Sequence, residues 1–100
     1  MNFARETFDT LKENGKTIKD VRWVGYYDCG RKKKISVDEF FVRAMRTNYD
    51  NSYGSTKIDM SLIVVGDDWW LERAEYDGSE WWEFKTMPKK DEYEVGEGEE

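Results

Sequence analysis

The chain has 100 residues, a formal net charge of −6, one proline, one cysteine and no histidine. That length predicts one domain, and no apolar run approaches the roughly 18 residues a membrane helix needs. Without histidine, and with Cys29 alone, the commonest general base, the usual transition-metal ligands and an internal disulfide are all missing.

In chain order, residues 3–13 predict a helix. Phe3, Thr7, Phe8 and Leu11 recur at helical spacing with Ala4 beside them, Asn2 suits the cap, and Asn14-Gly15 suits the stop. Residues 16–29 read as a strand, with Val21, Trp23 and Tyr27 on one side and Ile18, Val24 and Tyr26 mainly on the other. The run Cys29 to Lys34 reads as a turn carrying four consecutive bases. Residues 36–48 predict the second helix. Ser36 followed by Glu39 has the form of a capping box, and Val37, Phe41, Ala44 and Met45 form the stripe expected to be buried.

Residues 48–57 are loop chemistry, rich in Asn, Asp, Ser and Gly. Residues 58–66 predict a strand in which Ile58, Met60, Leu62 and Val64 alternate with Asp59, Ser61, Ile63 and Val65. Gly66-Asp67 then turns the chain into two strands around Asp77-Gly78, and Pro88 closes the ordered region. The expected fold is α+β in the order α-β-α-β-β-β. It has a small antiparallel sheet of three to four strands, a C-terminal meander, and both helices on one face. Residues 1–89 form the single domain, and 90–100 an acidic disordered tail.

Six of the 22 acidic residues fall in the last ten positions, so the rest of the chain carries 16 acids against 16 bases. A balanced domain with an acidic tail makes direct nucleic-acid binding a poor expectation, because that affinity needs uncompensated positive charge. The run Arg31, Lys32, Lys33 and Lys34, with Tyr26 and Tyr27 nearby, is the candidate phosphate or nucleic-acid contact, against the plainer reading of a solvated turn. The start of the chain lacks a basic and apolar leader, and with a lone cysteine this predicts a cytoplasmic protein.

Four of five tryptophans lie in 69–82, as the pairs Trp69-Trp70 and Trp81-Trp82. Neighbours in a strand point to opposite faces, so neither pair enters one core whole. A two-residue turn at Asp77-Gly78 puts Trp69, Leu71, Trp82 and Phe84 on the core face. Trp70, Ala74, Tyr76 and Trp81 then share the other face with Glu72, Glu83 and Lys85. It also sets Glu72 opposite Glu83, a mildly unfavourable pair. A three-residue turn avoids that contact and groups Trp70 with Trp82 and Phe84. The second face is either covered by another element or a second copy, or it docks a partner, with Trp70, Tyr76, Trp81, Glu72 and Glu83 as the candidate contacts. Two glutamates without a cleft do not make a hydrolase site, and no catalytic, metal or cofactor residues are expected. Asp50-Asn51-Ser52 lacks the spacing of a calcium loop.

The segment 62–88, "LIVVGDDWWLERAEYDGSEWWEFKTMP", together with "KKISVDEFF" and "NYDNSYGS", resembles small proteins of Gram-positive phages, plasmids and integrated elements. Among these it is similar to the type II anti-CRISPR inhibitors, and the resemblance spans roughly residues 20 to 88. It implies a cofactor-free, non-catalytic inhibitor, monomeric or homodimeric, that binds an RNA-guided nuclease in the host cytoplasm or blocks its guide-RNA loading. It carries over no individual residue. The other reading is a homodimeric accessory protein of a mobile element.

Overall fold

The computed structural model describes residues 1–50 and 57–88, together with Glu94 and Gly96. The first helix, α1 (Phe3–Glu13), starts where expected: the Asn2 side chain accepts a hydrogen bond from the Arg5 amide, satisfying one of the free amides of the first turn. It buries Phe3, Ala4, Thr7 and Leu11. Phe8 stays largely exposed and stacks on Phe41 at 5.0 Å.

The strand expected over 16–29 is shorter. Ile18–Asp20 forms one 3-10 turn instead, closed by reciprocal hydrogen bonds between Thr17 and Asp20, and β1 runs Trp23–Asp28. Thr17 and Asp20 offer the backbone local partners, which compete with a ladder. Ile18 is consequently at the surface.

The larger correction concerns the basic run. Only Cys29 and Gly30 turn, both with left-handed φ of 51° and 79°, as a two-residue hairpin requires. Arg31–Ile35 is a strand, β2, antiparallel to β1 with Tyr27 opposite Lys32 and Gly25 opposite Lys34. Consecutive bases are poor strand formers in a sheet centre, but β2 is an edge, where lysines leave one side of the ladder in water and discourage pairing with other chains.

The second helix, α2 (Val37–Met45), is capped by Ser36, whose side chain accepts from the Glu39 amide at 3.1 Å. The Glu39 carboxylate does not complete the expected box; it reaches forward to Arg43. The buried stripe is Phe40, Phe41 and Ala44, with Val37 half-buried. Met45, expected inside, is exposed, because Phe40 takes the inward position.

The strand expected over 58–66 shrinks to β3 (Ile63–Val65). The Asp59 side chain accepts from the Ser61 amide and hydroxyl, which turns the chain and ends the alternation. The strands β4 (Trp69–Tyr76) and β5 (Ser79–Thr86) pair in the two-residue register, Trp69 opposite Thr86 through Tyr76 opposite Ser79. Asp77 and Gly78 have φ of 50° and 85°, and positive φ at both central residues marks a type I′ turn.

The class is therefore α+β, with five strands in the order β2-β1-β3-β4-β5, every neighbouring pair antiparallel. Strand β1 lies between β2 and β3, which run parallel to one another and are joined through α2. The helices pack on one face, over a core of Phe3, Leu11, Val24, Phe40, Phe41, Val64, Trp69, Leu71 and Trp82. The expected acidic tail and the Asn51-Ser52 part of the loop fall outside the described residues, Glu94 and Gly96 apart.

Candidate functional site

The ladders assign each side chain to a face. Val24, Val64, Leu71 and Phe84 lie in one cross-strand row toward the helices, so the adjacent row of Trp23, Val65, Trp70 and Lys85 points away from them. Continuing outward, the helix-free face carries Gly25, Tyr27, Ile63, Glu72, Ala74, Tyr76, Trp81 and Glu83. Both Trp pairs are thus divided as the two-residue turn predicts. Trp69 and Trp82 are 3% and 5% exposed, whereas Trp81 is 39% exposed and Trp70 is half-buried on the outer face. Tyr76 is 75% exposed at the hairpin end.

The expected residues Trp70, Glu72, Tyr76, Trp81 and Glu83 do share one surface. Glu72 and Glu83 are directly opposite, and each finds a partner two residues along its own strand. The Trp70 indole N–H donates to Glu72 at 2.6 Å, and Lys85 pairs with Glu83 at 3.3 Å. These contacts offset the like-charge opposition.

Two aromatic residues join this face that the hairpin alone could not reveal. Trp23 and Tyr27 come from β1, two strands away from β4, and are 38% and 51% exposed. The Trp23 ring lies over Gly25: a Cβ built there would meet its Cζ3 at 2.7 Å. Glycine at this position is what lets the indole lie down on the sheet. Their spacing in the sequence showed that they share a side, but only the strand order places that side beside Trp70.

The basic run does not act as one patch. Lys32 and Lys34 point to the aromatic face, with their ammonium groups 6.0 Å from the Tyr27 ring and 5.6 Å from the Trp23 ring. Arg31 and Lys33 alternate to the other side. There Lys33 pairs with Asp28 at 3.1 Å, a hydrogen bond that raises the lysine's pKa and lowers the carboxylate's. Among the described residues, neither Lys32 nor Lys34 forms an ion pair. A cleft of about 550 Å³ opens beside them, where β3 stops short between β1 and β4, with Trp23, Tyr27, Met60 and Ile63 among its walls.

On the helix side, the sequence reading missed a buried ionic cluster. The Arg73 guanidinium, fully enclosed, donates to Glu6 at 2.7 Å and Glu80 at 3.0 Å and lies beside the stacked Phe3 and Trp82 rings, 5.1 and 4.9 Å from their centres. Glu80 also accepts from the amides of Lys57 and Ile58, which anchors the segment entering β3. Burial opposes the Glu80 charge, but those amides and Arg73 outweigh it and hold the carboxyl below its ordinary value. Tyr49 donates to Glu6, and burial followed by that carboxylate pushes its hydroxyl up to about 12. Burial likewise opposes the Arg73 charge, and Tyr49, Glu6 and Glu80 outweigh it and raise its pKa. Enclosed between α1, Tyr49 and the sheet, this cluster has the arrangement of a structural clamp. Its signal was alternation: Arg73 and Glu80 occupy inward positions on β4 and β5.

Among the described residues, no group of three or more carboxylates or thiols could hold a metal ion, and no helix is long and apolar enough to cross a membrane. No protein-family model, curated protein or solved structure matches the chain.

Proposed function

We propose that this protein is a stoichiometric, non-catalytic inhibitor of a host defence system that works in the bacterial cytoplasm by binding a protein. The target class suggested by the sequence resemblance is a type II RNA-guided nuclease, engaged directly or during guide-RNA assembly. The observation that carries the binding part of this reading is the helix-free face itself. Trp70, Tyr76 and Trp81, with Trp23 and Tyr27 beside them, form an aromatic surface rimmed by Glu72, Glu83 and Lys85. Side chains of that size are seldom left on a surface without use, and Trp and Tyr are over-represented among the residues that dominate protein interfaces.

The test is co-purification and DNA-cleavage inhibition with candidate type II nucleases, comparing the unaltered chain with Trp81→Ala and Tyr76→Ala. Both altered residues are exposed, so both variants should fold normally. A hot-spot contribution of about 2 kcal/mol corresponds to roughly thirtyfold weaker binding. Full-strength inhibition by both variants would remove this face from the mechanism, and no binding to any such nuclease would remove the target class. A second reading, a homodimeric accessory protein, draws on β5, an eight-residue strand at the sheet edge. A dimer in sedimentation equilibrium that dissociates on Trp81→Ala would favour it.

A further inference from the structure

The charge balance of residues 1–90 conceals a segregation on the helix-free face. Its β2–β1–β3 half carries Lys32 and Lys34 and no carboxylate, while the β4–β5 half carries Glu72 and Glu83 against Lys85 alone. The basic half also holds two exposed rings, Trp23 and Tyr27, four residues apart on one strand and therefore on one side. We propose that this half, with the adjoining cleft, binds a single strand of nucleic acid: unpaired bases stack on Trp23 and Tyr27, and Lys32 and Lys34 take the phosphates.

Four observations converge on that ligand. First, the rings lie on an open sheet backed by two helices, a platform on which flat groups can stack without penetrating a core. Second, the Trp23 ring is settled against Gly25, so little side-chain freedom remains to be lost when a base covers it. Third, the two lysines lie beside the rings, within about 6 Å of their centres, and have no carboxylate partner among the described residues. Their flexible ammonium groups now lie near the ring faces and can swing to a backbone phosphate when a base displaces them. Fourth, the cleft volume of about 550 Å³ falls inside the range of roughly 300–1,000 Å³ typical of small-ligand sites, with Lys32, Lys33 and Lys34 in its wall on one side and Glu72 on the β4 side, so phosphates belong at the lysine side.

A duplex does not fit this chemistry, because its base faces are already stacked on one another. The acidic β4–β5 half repels a phosphate chain, so the strand should run along the β2 edge instead of across the sheet. This site shares Trp23 and Tyr27 with the border of the proposed protein-binding face but does not use Trp81 or Tyr76, so the Trp81→Ala and Tyr76→Ala variants separate the two readings.

The experiment is fluorescence anisotropy of short labelled oligo-dT and oligo-U, and of a labelled duplex, titrated with the intact protein over a range of salt. Saturable binding of the single strands but not the duplex is expected at low salt. Affinity should fall with log salt at a slope near −1.4, since each neutralised phosphate on a single strand contributes about −0.7. Lys32→Glu with Lys34→Glu should weaken binding at least tenfold, and Trp23→Ala or Tyr27→Ala by roughly 5- to 150-fold each. Trp81→Ala should leave it unchanged. Circular dichroism confirms the fold of each variant, and Lys32→Gln with Lys34→Gln replaces the charge reversal if that perturbs the hairpin. Absence of binding at low salt would overturn the proposal. So would equal loss on Trp81→Ala, or inorganic polyphosphate competing as strongly as the oligonucleotide, which would reduce the site to charge without stacking.

Discussion

Arg73 shows how one side chain can bind several parts of this small molecule together. It connects Glu6 of α1 to Glu80 of β5, and Glu80 in turn holds the amides of residues 57 and 58. Removing one member of a buried ion cluster leaves its partners charged and dry, so Arg73→Met should cost about 3–5 kcal/mol in urea denaturation. Adding Glu80→Gln to that variant should cost less than the sum of the two single changes, because the groups act as one unit. The same cluster sets two pH limits. The Glu80 pKa is lowered on folding, so its contribution is complete above about 4.5, its ordinary value, and is lost as pH falls through the folded value. The Tyr49 pKa is raised on folding, so its contribution is complete below 10.0 and is lost as pH climbs toward about 12. Stability measured across pH should therefore fall at both ends. Glu80→Gln should flatten the acid limb and Tyr49→Phe the alkaline one. Unchanged limbs in both variants would assign the pH dependence to other groups.

At the scale of elements, caps and turns decide where the segments begin and end. Ser36→Ala removes the acceptor for the Glu39 amide and should destabilise the protein by about 0.5–2 kcal/mol in the same urea assay. Gly66 makes a different demand. A Cβ at this position would overlap the Trp69 indole, which is itself enclosed and stacked on Phe84 at 5.6 Å. Gly66→Ala should cost about 1–3 kcal/mol through overpacking, read as a lower melting temperature without a change in the secondary-structure spectrum. A neutral result would mean that the turn before β4 yields to make room. The first helix and the β4–β5 hairpin were legible beforehand because their signals are local: an Asn cap with a helical stripe, and an Asp-Gly turn between alternating strands. β2 was not legible, since four bases in a row resemble a solvated turn until a neighbouring strand supplies the ladder.

Across the whole molecule, the two-layer arrangement creates one dry face and one open face on the same sheet. It therefore separates the effects of truncating tryptophans. Trp82→Ala removes an indole that packs on Phe3, covers Arg73 and donates to Thr7, and should cost about 3–5 kcal/mol, enough to unfold a marginal domain. Trp69→Ala should behave alike. Trp81→Ala should stay within about 1 kcal/mol of the unaltered chain by the same measurement, and equal losses at positions 81 and 82 would contradict the division of faces.

What the sequence by itself determined is whatever adjacent residues settle among themselves: the helix start at Asn2, the cap at Ser36, and a turn at Asp77-Gly78 that splits each Trp pair between two faces; the structure decided between the two turn lengths, and so which Trp of each pair lies outside. Period-2 alternation makes that division unavoidable once the turn length is set. The C-terminal meander of β3, β4 and β5 was also legible, but tertiary structure alone decided that β1 pairs with β3 and that β2 extends the sheet beyond it. That order brought Trp23 and Tyr27 into the field of Trp70, and turned a basic run into an edge strand with its lysines alternating between faces. It also closed Glu6, Arg73 and Glu80 into one buried cluster, although Glu6 and Arg73 are 67 residues apart in the chain. Contacts between distant segments depend on the free energy of the assembled core, which no local window contains.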